Sequence, residues 1–299
     1  MANYLIAMAT FASIYGLLAL SLNLIWGLAG MVNLGLAGFF AVGAYASALT
    51  TTAGGLPIVL GLVVAVIAAG LAGVVLTLVT VRLREDYLAI VTLGFAEVVR
   101  LIALNETWLT RGADGISGIP GPFREALGER FNFVFLLLAL ALLGLTLALV
   151  ERLRLSPFGR VLRAIRDDQQ VAAVAGKNVL AFKLKAFALS AALAGFAGAV
   201  YGQYTSYIVP DIFDPLITIY IFLALTAGGT GNNWGAVFGA FLVVLVLEST
   251  RFMAPWVPGL IGVQYAAMRE MLVGSLLIVV LMVRPRGLLP ERLPAPPAG

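Results

Sequence analysis

The stretch PIVLGLVVAVIAAGLAGVVLTLVTV, Pro57–Val81, runs for 25 residues without one charged side chain. A helix crosses the hydrocarbon core of a bilayer in about 20 apolar residues, so this run is long enough to span. Runs of the same kind recur on both sides of it. Upstream lie Tyr4–Trp26 and Val32–Thr52. Downstream lie Tyr87–Leu104, Phe133–Val150, Ala186–Val209, Leu216–Gly228, Gly235–Ser249 and Met271–Val283. Nine spans would use about 60% of the chain, which agrees with its 61% hydrophobic content. The last three runs are short for about 30 Å of hydrocarbon, so extension into flanking residues or a re-entrant course is expected there.

Only 11% of the 299 residues are charged, against about 25% in a soluble domain, and the mean hydropathy is +1.02. So few charges cannot cover a soluble surface. The composition excludes a soluble globular protein, a disordered chain and a nucleic-acid binder. The end-to-end recurrence excludes a protein held by a single anchor. The expected fold is all-α: a polytopic transmembrane helix bundle of about 8–10 spans, forming a single domain over residues 1–299.

The missing residues narrow the chemistry. The chain has no Cys and no His. It therefore lacks a disulfide framework, a thiolate nucleophile, the commonest metal ligand and the commonest general base. Gly176-Lys177 is followed by Asn178 and is not preceded by a Gly-rich loop, so no phosphate-binding GxxxxGK[ST] is present. No catalytic residue, metal or cofactor is expected.

Orientation follows from the basic residues. Arg152, Arg154, Arg160, Arg163, Arg166, Lys177, Lys183 and Lys185 fall within Glu151–Lys185, eight of the chain's 19 Lys and Arg. The positive-inside rule places this segment in the cytoplasm. Alternation then puts Asn105–Phe131, Pro210–Pro215 with Asp211 and Asp214, and Arg251–Met268 outside. It puts Arg82–Asp86, Gly229–Trp234 and the tail Arg284–Gly299 inside. Arg284, Arg286 and Arg292 agree with an inside tail, and Arg82 and Arg84 are offset by Glu85 and Asp86. No Lys or Arg precedes the first run, so that run reads as a retained, outside-starting span rather than a basic-headed signal peptide.

Several motifs interrupt the apolar background. GLAGMVNLGLAGFFAVGAYASAL, Gly27–Leu49, combines five glycines with Asn33. Close helix packing through small residues accounts for the glycines. A broken helix lining a polar pathway accounts for the asparagine as well. Asn33-Leu34-Gly35 before Gly38 has a faint echo in Asn233-Trp234-Gly235 before Gly239. Glu97 and Arg100 lie at i, i+3 inside the fourth run and are expected to pair, since each alone would cost about 3 kcal/mol near the bilayer centre. The outside stretch TRGADGISGIPGP, Thr110–Pro122, reads as tight turns, a plain connector or a mouth-side rim. SPFGRVLRAIRDDQQVAAVAGKN, Ser156–Asn178, reads as an amphipathic helix. Ser156-Pro157 starts it, Val161, Leu162, Ile165, Val171 and Val174 form one side, and Arg160, Arg163 and Arg166 share the other, before a stop at Gly176. Such a helix can lie on lipid or fill a groove in a partner. Asp167-Asp168 and the Ala/Gly-rich end favour a protein partner.

At these residues the chain resembles the LivM-type permease subunits of branched-chain amino-acid ABC transporters. The resemblance is carried by Gly27–Leu49, VRLREDYLAIVTLGFAEVVRL (Val81–Leu101), RGADGISGIPGP (Arg111–Pro122), Ser156–Gly202, YIVPDIFD (Tyr207–Asp214) and AGGTGNNWGAVFGA (Ala227–Ala240). It implies a multi-pass permease domain in a bacterial inner membrane with a cytoplasmic loop, about residues 151–185, that docks on the ATPase. The docking signature matches at Ala172, Ala173 and Gly176, with Gln170 or Val171 where an acid is common. Pro157, Phe158, Gly159, Arg160, Arg163, Arg166 and Asp167 belong to the same coupling element. Asn33, Gly35, Gly38, Glu97 and Arg100 are the candidates for the translocation pathway. The implied partners are a second, LivH-like permease chain, two cytoplasmic ATPase subunits, a periplasmic substrate-binding protein and the lipid bilayer. Permeases for urea or short-chain amides look similar and remain an alternative. An ion-coupled transporter would need acids at mid-span, where only Glu97 and Glu248 are candidates. An intramembrane enzyme is weaker still, with no His, Cys or carboxylate pair in the spans.

Overall fold

The computed structural model describes residues 2–80, 85–253, 262–284 and 287–291. The expectations placed on Arg82, Arg84, Arg286 and Arg292, and on the turn at 254–261, lie outside the described residues.

The fold is an all-α polytopic bundle, and each apolar run falls on a helix. These helices are α1 (Ala2–Leu22), α2 (Leu36–Thr52), α3 (Ile58–Thr80) and α4 (Glu85–Asn105). After two single-turn helices, α5 (Thr107–Thr110) and α6 (Arg124–Leu127), comes α7 (Phe131–Leu155). The basic segment carries α8 (Pro157–Asp167) and α9 (Gln169–Val174). Then follow α10 (Val179–Thr205), α11 (Leu216–Gly228), α12 (Asn233–Met253) and α13 (Gly262–Val283). Among the described residues, α1 with its extension, α3, α4, α7 and α10 are long and apolar enough to cross a membrane, while α2 and α11 are shorter apolar helices. Val59, Ile67, Leu71, Val75 and Val79 of α3 are exposed. A row of that kind would be an aggregation hazard in water and is ordinary against lipid.

Backbone contact, more than side-chain bulk, joins the helices. Gly43 of α2 lies directly on Gly195 of α10, and a Cβ on Gly198 would sit on the Phe40 carbonyl and 2.8 Å from the Ala44 nitrogen. A Cβ on Gly195 would stand 2.9 Å from the Ala65 carbonyl of α3. Lipid gives helices no hydrophobic reason to associate, so close approach and dispersion must hold them. Gly228, Gly235 and Gly239 make a second such crossing between α11 and α12. Gly43 is thus a packing glycine, as the simpler account of Gly27–Leu49 requires.

The chain also breaks where Asn33 predicts, but the break is wider than the sequence implies. The last turn of α1 loosens into a π-turn, Asn23–Gly27. Residues 28–35 are irregular, with Gly30 at φ +72°, and α2 begins at Leu36 rather than Val32. The Asn33 Oδ1 accepts the Gly35 N–H at 2.9 Å, and this local turn competes with helix at that point.

The expected single helix over Ser156–Asn178 is two. Ser156 starts α8 as read, with its Oγ accepting from the Gly159 N–H at 3.4 Å and Pro157 in the first turn. Asp168 then ends α8 in an extended conformation and caps α9, accepting from Gln170 N–H at 2.7 Å and Val171 N–H at 3.0 Å. A carboxylate offered to two free N–H groups is a strong helix start. Gly176, at φ +77°, closes the segment as expected.

The loops sort to two ends. At one, β1 (Ile116–Ser117) pairs antiparallel with β2 (Tyr207–Ile208), which joins the two loops predicted to lie outside. At the other, the basic end, α8 meets Gly27, Gly30 and Glu291 through Arg166.

Candidate functional site

The opposite end from the basic segment carries a cavity of about 360 Å³. Its apolar wall includes Phe11, Phe40 and Val244, and its polar groups include Tyr15, Asp214 and Glu248. It exists because the chain after β2 dips into the bundle instead of crossing above it. Pro210 and Phe213, between β2 and α11, are buried, and α11 has only 13 residues, about 20 Å of helix. Irregular backbone at membrane depth is tolerated where protein buries it or a cavity hydrates it. Asp214 accepts the Leu216 N–H at 2.8 Å, and Glu248 accepts from the Tyr4 hydroxyl.

Glu97 and Arg100 pair as their spacing predicts. The Arg100 Nε donates to Glu97 Oε2 at 3.0 Å and Nη2 to Oε1 at 2.6 Å, a two-pronged contact. A third bond, from Nη1 to Asp211 at 3.3 Å, ties α4 to the dipping segment. Since Asp211 also lines the cavity, the pair stands at its rim.

Asn33, Gly35 and Gly38 lie elsewhere, against α4. The Leu34 N–H donates to Thr92 Oγ1 at 3.0 Å. A Cβ on Gly35 would strike the Thr92 carbonyl, and one on Gly38 would stand 2.8 Å from the Ala96 Cα. Asn33 is fully buried, and its Nδ2 has no hydrogen-bond partner among the described residues. The structure does not pair Asn33 with its sequence echo, Asn233. It pairs Asn233 with Asn23, whose Nδ2 donates to the Asn233 Oδ1 at 2.7 Å. The Asn23 Oδ1 accepts the Gly231 N–H at 2.8 Å, and the Asn233 Nδ2 donates to Glu151 at 2.7 Å. Glu151 in turn holds Arg154. A polar residue inside the first apolar run was the signal for Asn23; nothing in the sequence indicates its partner.

At the basic end α8 turns its apolar side into its own chain. Leu162 and Ile165 are buried. Phe158 stacks on Phe182 with ring centroids 5.6 Å apart, and Gly159 packs 2.5 Å (as a Cβ) from the Leu153 and Arg154 carbonyls. The three arginines do not form one free face. Arg160 is exposed, Arg163 is half-buried, and Arg166 turns inward to the Gly27 carbonyl and to Glu291, 3.0 Å away. The row at i, i+3, i+6 borders the buried stripe, and the last member reaches under it. Asp167 stays exposed beside Arg166. On α9, Ala172 is buried, while Val171, Ala173 and Val174 face outward, as does Gly176 beyond them. This surface has apolar and small residues that no described residue covers.

A family model described as the branched-chain amino acid transport system / permease component matches residues 4–281. The chain belongs to that family. Among its relatives, this permease is 34% identical to the Escherichia coli high-affinity branched-chain amino acid transport system permease protein LivM, over 96% of this chain and 70% of the relative. It is 31% identical to a probable LivM permease of Methanocaldococcus jannaschii, over 93% and 91% of the two chains. It is also 26% identical to the E. coli LivH permease, over 94% and 92%. No solved structure matches it. The permease thus resembles both kinds of chain named in these systems, and the bundle is that of a multi-pass membrane protein.

Proposed function

We propose that this permease is a subunit of an ATP-binding-cassette importer that carries branched-chain amino acids across the bacterial cytoplasmic membrane. It works beside a second, LivH-like permease, with two cytoplasmic ATPases and a periplasmic binding protein as partners. The observation that carries this reading is α9. An ATP-driven importer whose permease has no nucleotide site must receive its energy through a contact, and α9 holds Val171 and Val174 outward on the basic end. Ala173 and Gly176 permit close approach there, and Arg160, Lys177 and Asp167 frame the surface with charge. The positive-inside rule supports its cytoplasmic position.

The cavity at the other end suits the cargo. Its apolar wall matches a branched side chain, and Asp214 and Glu248 match an ammonium group. Glu97 and Arg100 stand at the mouth of the pathway, with Asn33, Gly35 and Gly38 deeper along α4.

The test is reconstitution in vesicles with partner ATPase subunits and a substrate-binding protein. ATP-dependent uptake of leucine, isoleucine or valine is expected. Uptake of urea alone would reassign the cargo, and uptake without any ATPase would reject the class. Gly176→Trp or Arg163→Glu should abolish uptake and ATPase co-purification while the protein stays inserted. Full retention of both would leave α9 as a helix that merely rests on lipid.

A further inference from the structure

Beyond α13, residues 287–291 form a strap laid over the turn between α11 and α12. The Leu288 N–H donates to the Ala227 carbonyl and the Leu289 N–H to the Gly228 carbonyl, each at 2.9 Å. The Asn232 Nδ2 donates to the Leu289 carbonyl at 3.1 Å. Gly287, at φ +73°, lets the two backbones touch; a Cβ there would stand 2.6 Å from the Gly229 nitrogen. The strap is therefore fastened to the α11–α12 turn.

Its last described residue, Glu291, leaves that turn and takes hold of α8. Glu291 packs over Gly231, where a Cβ would stand 2.7 Å from its Cδ. Its Oε2 accepts from Arg166 Nη1 at 3.0 Å, with only 16% and 24% of the two side chains exposed. The same Arg166 nitrogen donates to the Gly27 carbonyl at the end of the π-turn, where a helix end leaves carbonyls without intrahelical partners. The π-turn is itself bound to the α11–α12 turn through Asn23, Gly231 and Asn233. The contacts close a ring: α8, the π-turn of α1, the head of α12, the strap, and α8 again. An exposed ion pair contributes little. This pair is largely buried, bonded to the Gly27 carbonyl on the Arg166 side and packed against Gly231 on the Glu291 side, so it can transmit force.

We propose that Glu291 is a positioning residue for energy coupling. It clamps α8 to the α11–α12 turn, so that a displacement of α8 moves the π-turn of α1 and the first turn of α12 as one body. The strap thereby becomes the return half of a linkage whose forward half is the Arg166–Gly27 bond. The proposal rests on the reading of α8–α9 as the ATPase contact. Its claim is distinct: Glu291 acts after docking, between the docked helix and the membrane helices.

The experiment compares Glu291→Ala and Glu291→Gln in the reconstituted transporter, with every rate taken per inserted permease. Three quantities are read: ATPase co-purification, ATP hydrolysis and leucine uptake. In Glu291→Ala the ATPase should co-purify in wild-type amount and keep hydrolysing ATP, while uptake falls about tenfold. Glu291→Gln keeps a carbonyl for Arg166 and the bulk beside Gly231, and should return uptake to within about threefold of wild type. A residue that merely stabilised the fold would lower inserted protein, not the substrate moved per ATP. Wild-type uptake per molecule in Glu291→Ala overturns the proposal. Loss of the ATPase from that variant overturns it too, by making the strap part of the docking surface. Failure of the docking reading shows separately, as Gly176→Trp keeping both ATPase and uptake.

Discussion

Helices α8 and α9 are consecutive, both carry apolar residues at helical spacing, and they spend them differently. Leu162 and Ile165 of α8 are 0% and 4% exposed, whereas Val171 and Val174 of α9 are 64% and 90% exposed. The break at Asp168 makes this possible, because a continuous helix would carry one stripe around one axis. Amphipathicity states that a face will be covered. It does not state by what. The first helix fastens the segment to its own bundle, and the second leaves its valines exposed. Leu162→Ala and Val174→Glu test that division, and two polar contacts elsewhere in the bundle fall between them in the size of the effect on the permease's own stability.

Leu162→Ala should be the most damaging, lowering the stability of the detergent-solubilised protein by about 2–5 kcal/mol, the usual range for a buried leucine truncated in a packed core. Thermal unfolding measures it. A change below about 1 kcal/mol would mean that α8 is not seated as described. Asn23→Leu should cost about 1–3 kcal/mol by orphaning the buried Gly231 N–H and one side of Asn233. A matching loss in Asn233→Leu, and a double variant that costs less than the sum of the two, would show that they share one network. Arg100→Leu should cost about 1 kcal/mol, because Glu97 and Asp211 are both partly solvated. Adding Glu97→Gln should recover part of it, and a double variant no better than Arg100→Leu alone would break the pairing. Val174→Glu sits at the far end of the scale. Its own stability should stay within about 0.5 kcal/mol of wild type, yet ATPase association, read by titrated pull-down, should weaken about tenfold. If Val174→Glu instead destabilised the permease, α9 would belong with α8, and the contrast between the two helices would collapse.

What could be read from the sequence was local. The apolar runs found their helices, and Leu216–Gly228 did so to the residue, since span length and charge exclusion act along the chain. Glu97–Arg100 was legible for the same reason, with both partners on one helix turn. Asp168 was a missed local signal, a capping acid hidden among Asp167, Gln169 and Gln170. The rest was beyond sequence logic. Asn23 meets Asn233 across 210 residues, and Arg166 meets Glu291 across 125, so a single chain offers no rule for choosing Asn23 over Asn33. The arginine row misled in the same way: a period of three places side chains on one side but leaves open which of them fold back under it.

The small ladder at the opposite end has a consequence for how the protein is made. Ile116 pairs with Ile208 and Ser117 with Tyr207, so one partner leaves the ribosome about 90 residues before the other, at roughly 5–20 residues per second. The earlier loop must wait some seconds, uncapped, while α7, α8, α9 and α10 are synthesised. During that interval Ile116 and Ile119, both buried in the finished protein, lack the later loop that pairs with them. The closing of this ladder is therefore a late event in biogenesis, and it falls due only when the small-residue helix that crosses α2 and α3 has already entered the membrane.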